Sequence, residues 1–205
     1  LLANLPIAEF LAKTAAATAV PGGGPVAALS AATAAGLVEM VANLTFGKKG
    51  FESVAEAMQA IADGARTLRE SLIRDMDRDA EAYTRVLEAY RLPKANEEAR
   101  ELRRAAIEAA FKEAATVPLE VAEKARAVLD LAGKVITGGY PNAVTDGVVG
   151  ALLARTAGLS ALYNVRINLA SIGDKVFGQH LLSRVEAIQV DLIQKEQSIL
   201  AALEL

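Results

Sequence analysis

Three carboxylates at alternate positions, Asp75, Asp77 and Asp79, two adjacent cations, Lys48 and Lys49, and a run of three glycines, Gly22 to Gly24, are where this chain could do chemistry. A carboxyl group can take and return a proton in a transition state. Successive helical residues turn by about 100°, so Asp75 and Asp79 share a face and Asp77 looks elsewhere; such an acidic run is ordinarily solvated surface. The lysine pair follows an alanine-rich stretch, where cations either complement a helix C-terminus or clamp a carboxylate-bearing substrate. The glycines allow a sharp turn, and Pro25 suits a first helical position. The free N–H groups of Val26, Ala27 and Ala28 could then hold an anion, although spacing alone favours a plain connection between helices, because no Walker loop is present.

The same inventory excludes other chemistries. With one histidine, His180, and no cysteine, neither a thiolate metal site nor a Ser/His triad has its parts, and no metal is expected. His180 falls on the last helix and reads as a surface or interface residue.

Those groups must be positioned by helices, since no strand-like alternation occurs anywhere. Val26 to Thr45 carries only one charge, Glu39, among Ala, Ser, Thr and Gly36, and reads as a buried central helix. The first helix is expected over Pro6 to Ala19, with Ile7, Phe10 and Leu11 inward. Phe51 to Tyr90 reads as nearly continuous helix, because Val54, Met58, Ile61, Ala65, Leu68 and Leu72 recur at three- and four-residue steps. Pro93 makes Arg91 to Lys94 a connector, and the next helix starts near Asn96. That helix runs to about Gly133 with Pro118 inside it, implying a kink that costs about 3 kcal/mol in a straight helix. Gly138 to Asn142 is the clearest loop, with Asn142 or Thr145 as the following N-cap. A second small-residue helix ends near Ser171 to Asp174, where Asp174 can cap the last. There Phe177, Leu181, Val185, Ile188, Leu192, Ile199 and Leu203 form one stripe. The expected fold is all-α, a single domain over 1–205, with about six or seven helices bundled around the central small-residue helix.

Apolar residues make up 53% of the 205, but aromatics only 4%, so the core must be built from close-packed Ala, Leu, Val and Ile. A net charge of −3 argues against a general nucleic-acid surface. Two apolar stretches, Val26 to Val41 and Ala151 to Leu169, are diluted by small polar residues and by Glu39, Arg155 and Arg166; neither is expected to cross a membrane. Leu1 to Val20 lacks the basic start of a signal peptide, and the missing initiator Met suggests a trimmed chain. The cytoplasm is the expected location.

The central stretch ends in Met40-Val41-Ala42-Asn43-Leu44-Thr45 and Gly47-Lys48-Lys49. In order follow Asp79-Ala80-Glu81-Ala82-Tyr83, Arg91-Leu92-Pro93-Lys94, Val117-Pro118-Leu119, and Asn142-Ala143-Val144 with Asp146 before Asn164-Val165-Arg166-Ile167-Asn168-Leu169. Together these resemble the cyclodeaminase/cyclohydrolase family of folate one-carbon enzymes over nearly the whole chain. Pro25 departs from it, standing where the family commonly has serine or another small residue.

The resemblance implies an enzyme that forms or opens 5,10-methenyltetrahydrofolate, acting on a tetrahydrofolate derivative as a homodimer. It makes Asp79 the catalytic acid/base and marks Asn43, Lys48, Lys49, Asp146, Asn164, Arg166 and Asn168 as substrate-binding positions. Lys and Arg suit glutamyl carboxylates, and Asn and Asp a pterin edge; helix capping and interhelical contacts account for Asn164 and Asn168 equally well. Asp146, an acid among glycines and valines, needs a partner that Arg166 could supply. The strings around Asp79 and Arg91 resemble the bifunctional enzymes, whereas the lack of a fused transferase segment favours hydrolysis. The rival reading is a helical folate-binding or assembly protein without turnover.

Overall fold

A computed structural model describes residues 1–203. Its helices are α1 (Ile7–Thr14), α2 (Gly23–Thr45), α3 (Ala55–Arg91), α4 (Glu97–Gly138), α5 (Val144–Leu169) and α6 (Lys175–Ala201). Short 3₁₀ turns at Leu2–Asn4, Glu52–Val54 and Pro141–Ala143 join them, and no strand occurs among the described residues.

The small-residue helix is central as expected. Ala28, Ala31, Ala34, Ala35, Val38 and Val41 of α2 are fully buried, packed against α3, α4 and α5. Helices α2 and α5 run antiparallel, with Gly23 facing Asn164 at one end and Gly150 against Ala34 and Val38 further along. A Cβ on Gly150 would stand 3.4 Å from the Ala34 carbonyl oxygen, so the glycine sets how closely these backbones approach.

Two helix starts fall where the sequence placed them: Asn96 opens α4 and accepts from the Ala99 N–H at 2.8 Å, and Asp174 caps α6, accepting from the Phe177 N–H at 3.0 Å. Other boundaries moved. Helix α1 stops at Thr14 because the chain must turn before Pro21, and only Phe10 is buried while Ile7 and Leu11 are exposed. Helix α2 begins at Gly23, so Pro25 is its third residue; its missing N–H still costs nothing, since the first four have no intrahelical acceptor. Helix α4 continues past Gly133 to Gly138. At α5 neither Asn142 nor Thr145 caps: the 3₁₀ turn leads straight into the helix behind Ala143, and the Asn142 amide donates to the Tyr140 hydroxyl instead. Leu203 lies beyond the end of α6 and leaves its stripe.

Helix α4 runs through Pro118, which is buried. Proline cannot donate to the carbonyl four residues earlier, here that of Ala114. The Asn168 side chain of α5 donates to that carbonyl at 2.7 Å, and to the Asn164 carbonyl at 2.9 Å. A hydrogen bond missing within one helix is thus replaced by one between helices.

Candidate active site

The acidic run divides by depth. Asp75 is 1% exposed, with Arg78 at 2.7 Å and Lys124 at 2.5 Å, so it is a buried ion cluster tying α3 to α4 and not solvated surface. Asp77 accepts from the Leu2 N–H. Asp79, one turn beyond Asp75, faces the first turn of α2, where a Cβ on Gly24 would overlap its carboxyl group. Glycine is required there by contact, not by backbone conformation.

Asp79 opens into a cavity of about 470 Å³ whose lining includes Gly22, Gly23, Gly24, Tyr83, Phe111, Asn164 and Asn168. Burial pushes its pKa up from 3.8 to about 6. Helix α2 supplies backbone donors to this space, though not those expected. The Val26 N–H bonds the Gly22 carbonyl at 3.4 Å, and Ala27 and Ala28 lie deeper in the helix. The unpaired positions are therefore Gly23 and Gly24.

Asn164 and Asn168 both line the cavity and both brace helices. The Asn164 amide nitrogen donates to the Ser160 carbonyl at 3.0 Å, and that of Asn168 to the two carbonyls named above, leaving each side-chain oxygen as the acceptor. Two aromatic walls add to the expected residues. Tyr83 follows Asp79 by four, a same-face spacing visible in sequence, whereas Phe111 arrives from α4 through packing alone.

The remaining residues lie elsewhere. Asn43, Lys48 and Lys49 are at the C-terminal end of α2, about 30 Å from Gly24 by the helical rise. The Lys48 ammonium stands 3.5 Å from the centre of the Tyr140 ring; Asn43 and Lys49 are exposed. Asp146 sits at this same end, in the first turn of α5. The pairing with Arg166 fails because Arg166 occupies the last turn of the same helix, where it donates to the Gln189 side chain at 2.7 Å. His180 is exposed on α6. Among the described residues, no group of three His, Cys, Asp or Glu gathers as a metal site would require.

The profile of the formiminotransferase-cyclodeaminase family matches residues 6–187. The chain belongs to this family. It is 38% identical over 186 residues to the methenyltetrahydrofolate cyclohydrolase of Methylorubrum extorquens, covering 90% of this chain and 89% of the relative. It is 30% identical to the mouse formimidoyltransferase-cyclodeaminase, over 99% of this chain but 38% of the mouse protein. Its fold superposes on the crystal structure of formiminotetrahydrofolate cyclodeaminase from Thermotoga maritima with a TM-score of 0.87 and 31% identity, over 96% of this chain and 94% of that one. The cyclodeaminase fold and the cavity at Asp79 thus come from one chain.

Proposed function

We propose that this protein is a folate-dependent one-carbon enzyme that forms or opens 5,10-methenyltetrahydrofolate, as a cyclodeaminase, a cyclohydrolase or both, with Asp79 as its acid/base. The observation that carries the assignment is the Asp79 carboxyl, raised to about 6 and facing a cavity large enough for a bicyclic ring. Relatives bearing both activity names support the substrate class.

In the ammonia-releasing reaction, nitrogen-10 attacks the formimino carbon and gives a tetrahedral carbon held by both folate nitrogens. Asp79 takes the proton from nitrogen-10 and gives it to the departing ammonia, and its anion then stabilises the methenyl cation. In the hydrolytic reaction water adds to the methenyl carbon, passing through the corresponding hydroxyl-bearing tetrahedral carbon, and the same carboxyl moves the proton from oxygen to the leaving ring nitrogen. Tyr83 and Phe111 offer apolar faces to the ring, and the Gly23 and Gly24 N–H groups and the free amide oxygens offer polar edges. We place this activity in a cytoplasmic homodimer; the apolar helices α2 and α5 favour association, and the absence of cysteine suits a reducing compartment.

Steady-state assays with formiminotetrahydrofolate and with the methenyl compound test the assignment. Activity is expected with both, and Asp79→Asn should abolish the two together. A variant that loses one reaction and keeps the other would require a second proton shuttle.

A further inference from the structure

Asp75 is a carboxylate that the reaction does not touch, yet it stands one helical turn from the one that does. Residues four apart on a helix have Cβ atoms about 6 Å apart, and Asp75 and Asp79 share one face of α3. Like charges at that spacing oppose each other's ionisation. Asp75 is 1% exposed, so water does not screen it, and a carboxyl that must become an anion beside it needs that charge cancelled.

The cancelling charges come from both helices of the hairpin. Arg78 reaches one oxygen of Asp75 at 2.7 Å, and Lys124 of α4 the other at 2.5 Å. The same Arg78 nitrogen meets Glu120 of α4 at 2.7 Å. Two cations and two anions thus sum to zero, one turn from Asp79. The charges of the surrounding elements are engaged elsewhere. Besides Asp79 itself, only Tyr83 titrates in the cavity lining. Asp77 of α3 is turned to the Leu2 N–H. On α4, Lys112 is held by Asp174 and Glu113 by Arg85. On α5, Arg155 turns to Glu196 and Arg166 to Gln189, while Asp146 lies in the first turn, at the far end. Glu39 of α2 is held by Arg66 and Arg69. Burial is accordingly what raises the Asp79 pKa, as expected beside a neutral cluster.

We propose that this cluster sets the charge state of the catalytic carboxyl: Arg78 and Lys124 cancel Asp75, so that Asp79 works beside a neutral group, and Asp75 and Lys124 act through Asp79 as positioning residues. The acid/base reading of Asp79 is what gives the cluster its catalytic meaning, and the inference rests on it there. Its sign is fixed by which charge is removed. Asp75→Asn leaves the cations in excess and favours the Asp79 anion; Lys124→Met leaves the acids in excess and favours the neutral acid. Asp75→Asn/Lys124→Met removes one charge of each sign and restores the balance, although the tie from Lys124 to α3 is gone.

A titration that needs no substrate tests this. In protein labelled with carbon-13 at the aspartate carboxyl groups, the Asp79 signal is the one lost in Asp79→Asn, and its midpoint is followed by NMR. The midpoint should fall by about one pH unit in Asp75→Asn and rise by about one in Lys124→Met. In the double variant it should return to the wild-type value. That variant is the better tolerated, since removing both partners leaves no buried charge uncompensated. Equal midpoints in all four proteins, or a double variant displaced as far as a single one, overturn the proposal and leave the cluster as a tie between helices. Glu120→Gln alters a partly exposed position and decides in their place if a buried variant does not fold: a lowered midpoint supports the proposal and an unmoved one overturns it. The pH profile of kcat/KM for the ammonia-releasing reaction should move in step, because titrations of the substrate itself are the same for every variant. If the carboxyl signal shifts and the profile does not, Asp79 is not the base and the functional assignment falls, while the link from the cluster to the carboxyl stands.

Discussion

A carboxyl with its pKa near 6 is mostly anionic at pH 7 yet keeps a usable acid fraction, which suits a group that must take a proton and then return it. Burial achieves this at a cost in stability. Because the folded-state pKa lies above the unfolded value, the penalty of holding the anion is fully present above about 6 and is relieved as pH falls towards 3.8. Asp79→Asn removes that charge. It should therefore raise thermal stability at pH 8, on the order of 2 kcal/mol by linkage, with the gain shrinking at pH 5; melting curves at the two values check this. The same variant should lose at least ~100-fold in turnover, the scale of general acid–base catalysis. In wild-type enzyme, kcat/KM for the ammonia-releasing reaction should rise with pH through about 6, as the base form of Asp79 accumulates. A stabilised, inactive variant is the signature of a strained functional group, whereas unchanged turnover would remove Asp79 from the mechanism.

Helices α2, α4 and α5 hold that carboxyl in place through two details of their backbones. At the start of α2, Gly24→Ala adds a methyl where the Asp79 carboxyl now sits, so the carboxyl must rotate away. Alanine is otherwise the better helix former by about 1 kcal/mol. Turnover should fall by tenfold or more while the melting temperature holds or rises, a split that kinetics and calorimetry on one preparation would measure. At the cavity wall, Asn168→Ala strips the Ala114 carbonyl of its donor and should cost about 1–3 kcal/mol. In a Pro118→Ala background residue 118 regains an N–H aimed at that carbonyl, so the same truncation should cost much less; denaturant titration of the four proteins gives the coupling. These elements also mark where sequence is legible. Apolar periodicity, Pro93 and the caps at Asn96 and Asp174 are local signals, and they placed the long helices. The Pro118 and Asn168 pairing joins residues 50 apart and leaves no periodic trace. Gly23 and Gly24 entered α2 instead of preceding it, and Gly24 is demanded by a contact with Asp79 that is invisible along the chain.

At the scale of the whole molecule, the lysine pair was legible as cationic but not as remote, because sequence order hides that one helix carries Gly24 and Lys48 to opposite ends of the bundle. Lys48 and Lys49 are at least partly exposed, so their attraction for carboxylates acts through solvent and is screened over about 10 Å at 0.1 M salt. A folate with several glutamates presents several carboxylates to the pair and a monoglutamate few, while both present the same pterin to the Asp79 cavity. Lys48→Ala/Lys49→Ala should therefore raise KM for the polyglutamyl substrate by roughly tenfold, equivalent to about 1.4 kcal/mol. The monoglutamate should be affected far less, with kcat nearly unchanged for both because neither lysine touches the reacting carbon. Raising salt should erode the preference of the wild-type enzyme for the longer tail and leave the double variant indifferent. Steady-state kinetics with both substrates at low and high ionic strength would separate a tail site from a helix-end role. A helix-end role predicts equal losses for the two substrates and a lower melting temperature; a tail site predicts a loss that grows with the number of glutamates and vanishes in salt.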